Sequence, residues 1–482
     1  MDKYDYILIG GGPTALTLAW ILGKNNKSTL IIEKEDRLGG CHGVSRVDGY
    51  FTEHGPRVYS NSYLQFIELL KSMNLKFEDL FTPYNFKTSK INSYTPLSFK
   101  LYEYYSFFKA IVQLIINEDY GKTISMKQFM ENNNFSKETT IYIDRLCRLT
   151  DGASYDKYTL HQFLQLINQQ LIYRLYQPKI PTDKGLIKEW TEKIKDTKNV
   201  YIKLDEEVIG LNKSGNINRL DSVKTTKGLY NGNNIIITIP PKPLYELMER
   251  SSLLDAFYMT ENEFKKWTLD NSYIEYICIT YHYDRKIELP KLWGFKQGPW
   301  DIVFIILSNY MDLKNEPSKT LISIAITNTY TPNEDGLIAN DCTQEQLLNE
   351  VYKQLYYFPK PDKVILAPEI KKIDGKWTNE DTAFVITTAN QYIDYKTKID
   401  NLYTVGIHNG HSSYKFTSLE SATQNAIYFI KKELKNIKCD IKEVHIINIR
   451  DIIWILLFVI ILIIIYTILL SNGAASNNYH KI

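Results

Sequence analysis

The apolar positions of the chain change period in blocks, and each block predicts its elements. Tyr4–Ile9 (YDYILI) is a short apolar run, interrupted by Gly10-Gly11-Gly12-Pro13, as expected of a buried strand that ends in a tight turn. Pro13 suits the first turn of a helix, where its missing N–H is not needed. Residues 14–22 continue that helix, with Leu16, Ala19 and Trp20 at helical spacing, and Ser28–Glu33 (STLIIE) reads as a second strand. Strand, glycine turn, helix and strand within about thirty residues make a βαβ unit with a parallel pair.

From Asn61 to about Lys198 the period becomes helical, with Tyr63, Phe66, Ile67, Leu70 and Met73 three and four apart. This block also holds the densest aromatics, in Leu101–Phe108 (LYEYYSFF). Residues 201–241 return to strands: YIKLDEEVIGL, a turn at Ser214-Gly215, then VKTTKGLY and NNIIITIPP. The stretch from Leu244 to about Lys398 is mixed, with strand-like runs at 276–283 and 320–326 and a helix near 344–355. A strand at 401–406 and a helix at 418–434 complete the pattern. The predicted fold class is α/β. A Rossmann-type domain is assembled from residues 1–60, 200–245 and 399–436. An inserted mixed α+β domain is helical over 61–199 and mixed over 246–398.

Residues 452–470 (IIWILLFVIILIIIYTILL) carry no charge. At the helical rise they match the roughly 30 Å hydrocarbon core of a bilayer, and a single transmembrane helix is predicted there. Lys431, Lys432, Lys435, Lys438, Lys442 and Arg450 precede it, and residues 437–451 read as a basic juxtamembrane linker; the tail 471–482 has only Lys481. The positive side stays in the cytosol. With no signal-peptide pattern at the amino end, the expected arrangement is a tail-anchored protein with a cytosolic globular part and the bilayer as a partner.

Composition narrows the classes further. With 482 residues, 44% apolar and 23% charged, the chain has room for two or three globular units and is no disordered chain, collagen or disulfide-stapled miniprotein. Lys+Arg total 57 against 55 Asp+Glu, a net charge of +2, so no basic excess argues for a nucleic-acid partner. Cys41, Cys147, Cys278, Cys342 and Cys439 are far apart with no CxxC pair; reduced thiols are expected, and no metal site. The 36 tyrosines reflect a bias of composition before they reflect function. Nothing in the sequence sets an oligomeric state.

The chemistry starts at Gly10-x-Gly12-x-x-Ala15 followed by Glu33. Such glycines let backbone N–H groups approach a pyrophosphate, whose charge then sits on the positive end of the helix begun by Pro13. Ala15 meets the close-contact requirement of the third position. Glu33 can accept both hydroxyls of an adenosine ribose. The run Glu33-Lys34-Glu35-Asp36-Arg37-Leu38-Gly39-Gly40 then repeats the pattern E-x-x-x-R-x-G-G. Gly39-Gly40 can set bare backbone against a diphosphate, and Arg37 can stabilise that turn or the phosphates.

With these motifs the chain resembles the flavin-containing amine oxidoreductase family, which includes monoamine oxidases, protoporphyrinogen oxidase and phytoene desaturase. The resemblance implies a non-covalent FAD. Residues 51–57 (FTEHGPR) correspond to the stretch whose Gly55-Pro56 backbone passes the flavin ring. Asp205-Glu206-Glu207-Val208 resembles the strand whose Val208 offers its backbone to adenine. Residues 401–406, ending in Gly406, and Ser418-Leu419-Glu420-Ser421-Ala422 resemble the closing strand and the helix that aims its N-terminus at the flavin pyrimidine. The chain also departs from the family pattern. Cys41 stands where relatives commonly have arginine, and Ile407-His408 follow Gly406 in place of an acid. The strand 276–283 lacks the lysine that many relatives place near flavin N5, and no cysteine lies in the loop 407–417 to form a thioether.

His408 and His411, in the loop GIHNGHSS, are the expected proton carriers, with His54, Tyr414 and Phe416 also near the implied cofactor. Tyr281 and Tyr283 point the same way on one strand and are expected in the core, with His282 opposite. The leading expectation is an FAD-dependent oxidoreductase. It would move a hydride from a C–H bond of a small or lipophilic substrate to flavin N5, with dioxygen reoxidising the cofactor. Two alternatives stand beside it: a redox-neutral flavoenzyme of nucleotide-sugar mutase type, with Arg145, Arg148 and Arg174 as diphosphate donors, and a non-catalytic membrane-anchored FAD-binding protein.

Overall fold

The computed structural model describes residues 3–85, 87–88, 99–170, 172–215, 218–272, 276–296, 298–378, 385–386, 391–414 and 417–478. Its central feature is a seven-stranded sheet. The strand Lys3–Ile9 lies between Thr29–Ile32 and Leu229–Ile237, parallel to both, so that Ile9 is level with Ile32 and Ile237. Val200–Lys203 extends the sheet beyond Thr29–Ile32, and Leu402–Thr404 joins Leu229–Ile237, both in parallel. Val208–Lys213 and Leu220–Thr225 form an antiparallel meander on Leu229–Ile237. The parallel strands read as unbroken apolar runs because helices cover both faces.

On one face lie the helices Pro13–Lys24, Leu64–Ser72, Leu186–Asp196 and Leu419–Glu433, with Leu16, Phe66, Trp190 and Phe429 in one core. On the other lie Pro241–Arg250 and Glu261–Asp270, with Leu244, Phe264 and Trp267. The core of the nucleotide-type domain thus draws on Leu64–Ser72, Leu186–Asp196 and Glu261–Asp270, which the expected boundaries at 60, 200 and 245 leave outside it.

A second sheet, antiparallel apart from its outermost two-residue strand, has the order Lys363–Leu366, Ile277–Tyr283, Thr320–Ile326, Ile302–Ile306, Leu292–Lys296 and Lys87–Thr88. The helix Gln344–Gln354 covers one face through Leu347 and Val351. Tyr281 and Tyr283 are buried in that core, as their shared direction predicts, and His282 is buried opposite them with Nδ1 2.7 Å from Ser318 Oγ. Against the other face rests a hairpin, Val44–Val47 and Tyr50–Glu53. Asp48 and Gly49, at φ 52° and 80°, form the turn type that matches strand twist. The helices Leu101–Ile116, Met126–Asn132, Lys137–Asp151 and Leu160–Gln170 build a core of their own around Ala110, Phe129, Tyr158 and Phe163.

The carboxyl end corrects one expectation. Residues 437–448 are no free linker. Ile437, Ile441 and Ile446 are buried in the first core. Asn25 exchanges two hydrogen bonds with the Lys438 backbone, at 2.8 and 2.9 Å, and Gln65 Nε2 donates to Lys442 O at 2.7 Å. The segment is a strap, with Lys438 and Lys442 exposed and Lys438 paired with Asp440 at 3.0 Å, while the isoleucines point in. The helix Ile449–Asn478 then leaves the globular part, longer at both ends than the predicted span 452–470. Its stretch Ile449–Thr467 is, among the described residues, the one helix long and apolar enough to cross a membrane, and none of it is buried in the chain. A core helix of this chain would be covered; this one is not. Residues 479–482 of the predicted tail lie outside the described residues.

Candidate functional site

The site starts where the strand Lys3–Ile9 ends. Gly10 has φ 102°, a conformation that L side chains rarely adopt. Gly12 caps the helix Pro13–Lys24 in extended conformation, and no side chain caps that N-terminus. Gly40, at φ 52°, comes close from the second glycine pair: a Cβ there would lie 3.2 Å from Gly12 Cα. A Cβ on Gly12 would meet only Gly40 Cα, at 4.0 Å. Gly39 N donates to Gly11 O at 2.9 Å and ties the two turns together. Bare backbone and an uncapped helix end therefore share one surface, the arrangement a diphosphate needs. Pro13 and Ala15, both buried, hold the helix against the sheet beneath it.

Glu33 stands beside this cradle. Its Oε2 accepts from Gly11 N at 2.6 Å and its Oε1 from Glu35 N at 2.9 Å. Burial raises its pKa against the pull of these two amides. The segment leading to Val208 runs alongside, with Glu206 N donating to Glu33 O at 3.0 Å and Asp205 N to Glu35 O at 2.9 Å. Val208 itself is buried at the start of its strand. Arg37 is held by carboxylates: it pairs with Glu369 from the second-sheet region and bonds Asp36 at 2.9 Å, while Ser45 also donates to Glu369. This geometry suits the turn-stabilising half of its expected role.

Beyond the hairpin, Gly55 presents bare backbone to the second sheet. A Cβ on it would lie 3.4 Å from Cys278 Sγ and 3.5 Å from the Tyr276 ring. Pro56 borders a small apolar cavity with Val58, Leu149, Tyr276, Val303, Ile305 and Ala325. Behind the same segment lies a polar cluster that the sequence pattern missed. Arg57 carries its charge beside Cys41, Tyr59 and Glu53, with Nη2 buried and without a hydrogen-bond partner among the described residues. Glu53 Oε1 is buried without a hydrogen-bond partner among the described residues. Burial pushes its pKa up to about 7 against the charge of Arg57 and a bond from Ser323. His54 is buried too, held down to about 3 by burial and by Arg57. His42 meets the Tyr59 hydroxyl at 3.3 Å. Sequence reasoning singles out His54 and the Gly55-Pro56 backbone of EHGPR; Glu53 and Arg57, its charged side chains, are the signal left unused.

At the closing strand, Gly406 is extended, at φ 176°. A Cβ there would reach the His408 ring at 2.7 Å, and its amide donates to Asn409 Oδ1 at 2.8 Å. Ser418 caps the helix Leu419–Glu433 by accepting from Ser421 N at 3.1 Å, with Leu419 fully buried. Glu420 crosses to the helix Leu64–Ser72, accepting from Gln65 N at 2.9 Å and Phe66 N at 2.8 Å. Burial pushes its pKa up to about 7 against these bonds.

The two histidines expected to carry protons keep other company. His408 is buried, with Nε2 2.9 Å from Thr404 Oγ1 and its ring edge-on to Trp267. Burial alone holds its pKa down to about 3, so it stays neutral. His411 stacks between Tyr428 and Tyr395, with ring centroids at 4.6 and 4.9 Å. Tyr428 is nine residues along its helix from Leu419, roughly 13 Å from that helix's N-terminal end. Both histidines thus have partners within the protein, Thr404 and Trp267 for His408 and Tyr395 and Tyr428 for His411. Tyr414 accepts from Gln170 Nε2 at 2.5 Å and packs edge-on against Tyr63, and Phe416 lies outside the described residues.

Comparisons with known proteins agree with this geometry. Residues 8–72 match the family model of the NAD(P)-binding Rossmann-like domain. A UDP-galactopyranose mutase of Mycoplasma genitalium is 34% identical over 62 residues, 12% of this chain and 15% of that protein. The match therefore spans a small part of that relative's length. Among solved structures, putrescine oxidase bound to putrescine superposes with a TM-score of 0.63 at 15% identity, over 90% of this chain and 99% of that one. An oxidoreductase from Methanosarcina mazei gives 0.60 at 13% identity, over 89% of this chain and 100% of that one. The chain thus carries an NAD(P)-binding Rossmann-like domain at its amino end and has, over nearly all its length, the fold of putrescine oxidase, the architecture its motifs resemble.

Proposed function

We propose that the protein is an FAD-dependent oxidoreductase of the amine-oxidase type that acts on a small or lipophilic substrate. The observation that carries this reading is the Gly12–Gly40 approach at an uncapped helix end with Glu33 beside it. FAD bound there would supply the hydride acceptor, N5, with dioxygen taking up the two electrons and two protons as peroxide. Gly10, Gly12, Gly39, Gly40 and the start of the helix at Pro13 would hold the diphosphate, Glu33 the ribose, and the Val208 backbone the adenine. Gly55, Pro56, Gly406 and Leu419 would border the ring system. Arg57 brings positive charge to Cys41, the position where relatives carry arginine. The apolar lining beyond Pro56 excludes water and favours an uncharged or aliphatic group at the reacting carbon. The helix Ile449–Asn478 would anchor the protein in a bilayer, with the basic strap on the cytosolic side.

The mutase reading has the Mycoplasma relative in its favour, yet that match covers only 62 residues, 15% of that protein. Arg145 is bonded to Asp301 at 2.7 Å and Arg148 to Asp144 at 2.9 Å, so neither is poised for a diphosphate. The test is direct. Purified full-length chain in detergent is denatured and the released chromophore identified, then intact protein is offered amines with peroxide as readout. Released FAD and peroxide without added reductant support the proposal. A colourless preparation ends it, activity that appears only after anaerobic reduction favours the mutase reading, and an unchanging bound flavin favours the non-catalytic one.

A further inference from the structure

The helix Leu101–Ile116 (LYEYYSFFKAIVQLII) is apolar on both of its faces. Its inner face, with Ala110 and Leu114, fills the helical core. Its outer face carries Leu101, Tyr105, Phe108, Val112 and Ile116 at three- and four-residue steps, one stripe along the helix. Leu101 is 88% exposed, Tyr105 66%, Phe108 63% and Ile116 73%. Tyr102 and Tyr104 flank the stripe, exposed as well, and Lys109 is the charged residue among them. Glu103, the acid of this helix, points inward and accepts from Lys100 N and Ser136 N. A helix that is apolar all round belongs in contact with something apolar.

The root of the carboxyl-terminal helix says what that is. Arg450 pairs with Glu118, two residues beyond Ile116. Asn168 Oδ1 accepts from Ile449 N at 2.9 Å, and the Tyr173 hydroxyl accepts from Ile447 N at 3.1 Å. The helix Leu160–Gln170, which bears Asn168, packs on Leu101–Ile116 through Phe163 and Phe107, with ring centroids 5.8 Å apart. The strap before the root is itself docked. The helix meant for the bilayer thus leaves the globular part at the end of the exposed stripe, with no slack between them.

Resting on the membrane reading above, we propose that the outer face of Leu101–Ile116 lies in the headgroup–acyl boundary of the leaflet that the anchor enters, as a second, monotopic contact. Tyrosines suit that boundary because an apolar ring and a polar hydroxyl meet there. Lys109 and the neighbouring Lys100 reach the phosphates with their stems along the apolar surface. The two contacts together fix the orientation of the catalytic fold on the membrane, which a single anchor on a free linker would not do.

The experiment uses the full-length protein in phosphatidylcholine vesicles containing a lipid with a photoreactive diazirine on its acyl chain, with labelled peptides mapped by mass spectrometry. Label on residues 101–116 together with label on 449–467 is the expected result. In the variant Leu101→Gln/Tyr105→Gln/Phe108→Gln/Ile116→Gln, whose changes are all on exposed positions, label on 101–116 falls roughly tenfold while label on the anchor persists. Label confined to the anchor overturns the proposal and leaves the membrane reading standing. Label on neither overturns the membrane reading itself. A stripe that lipid leaves unlabelled but that cross-links between copies assigns the face to a dimer, and also overturns the proposal.

Discussion

The Gly11 amide donates to Glu33 Oε2 at 2.6 Å, across twenty-two residues. One carboxylate thereby fixes the glycine turn and the end of the second strand relative to each other, at the place where a ribose would sit. A hydrogen bond to a charged group contributes about 1.5–3 kcal/mol. The substitution Glu33→Gln keeps the length and loses the charge, and FAD affinity should fall by roughly ten- to a hundredfold. Fluorescence titration of the apoprotein with FAD measures this. Unchanged affinity would reduce Glu33 to a turn lock.

The Gly12–Gly40 approach gives a matched pair of glycine tests. Gly40→Ala places a methyl 3.2 Å from Gly12 Cα, and Gly49→Ala places one at φ 80° in open space. Both pay about 1–2 kcal/mol for a left-handed alanine. Only Gly40→Ala also fills the diphosphate surface. The flavin-to-protein ratio of the purified protein should therefore collapse for Gly40→Ala and hold for Gly49→Ala, with the smaller drop in melting temperature for Gly49→Ala, whose methyl meets nothing.

The glycine turns were legible because their signal is local: five residues fix the backbone, and the strands on each side are unbroken apolar runs. The boundary at 60 was not, since Leu64–Ser72 looks like any amphipathic helix until Glu420, more than 350 residues away, caps it. The strap was hidden by its lysines. Ile437, Ile441 and Ile446 recur every four or five residues, a spacing that names no element. The stacking of His411 on the rings of Tyr395 and Tyr428 is a contact that no local pattern announces. The aromatic run at 101–108 was visible as density, but exposure is a property of the assembled surface.

Buried acids set the direction of the pH dependence. Glu53 and Glu420 are both raised from 4.5 to about 7. A raised folded pKa means that the stability these groups contribute is present below the unfolded value and lost as pH rises through the folded one. The loss falls between about pH 4.5 and pH 7, roughly 3 kcal/mol per group. Glu420→Gln is neutral throughout and removes its share of the slope. The melting temperature of the wild type should fall more steeply between about pH 4.5 and pH 7 than that of Glu420→Gln; parallel profiles would contradict the assignment.

The histidines divide by burial, not by chemistry. His411→Phe preserves the stack between Tyr395 and Tyr428 and should leave the rate of flavin reduction within about twofold. His408→Ala opens a hole beside Trp267 and strands the Thr404 hydroxyl, destabilising the fold by about 2–4 kcal/mol. Stopped-flow reduction and thermal melts separate the two effects. A large loss of rate in a fully folded His411→Phe would return that histidine to the reaction.

Gln65 joins the strap to the nucleotide-type domain from both sides, donating to Lys442 O at 2.7 Å and accepting from Val444 N at 3.3 Å. The substitution Gln65→Ala removes both bonds and leaves two strap groups to water, at about 1 kcal/mol each. The buried isoleucines, the two Asn25–Lys438 bonds and the Tyr173–Ile447 bond must then hold residues 437–448 down. Because local opening tracks local contact energy, trypsin should cut at Lys438 or Lys442 about ten times faster in Gln65→Ala than in the wild type, while cleavage in the core stays unchanged. If the strap were a loose linker, as its basic composition alone implies, both proteins would be cut there at the same high rate.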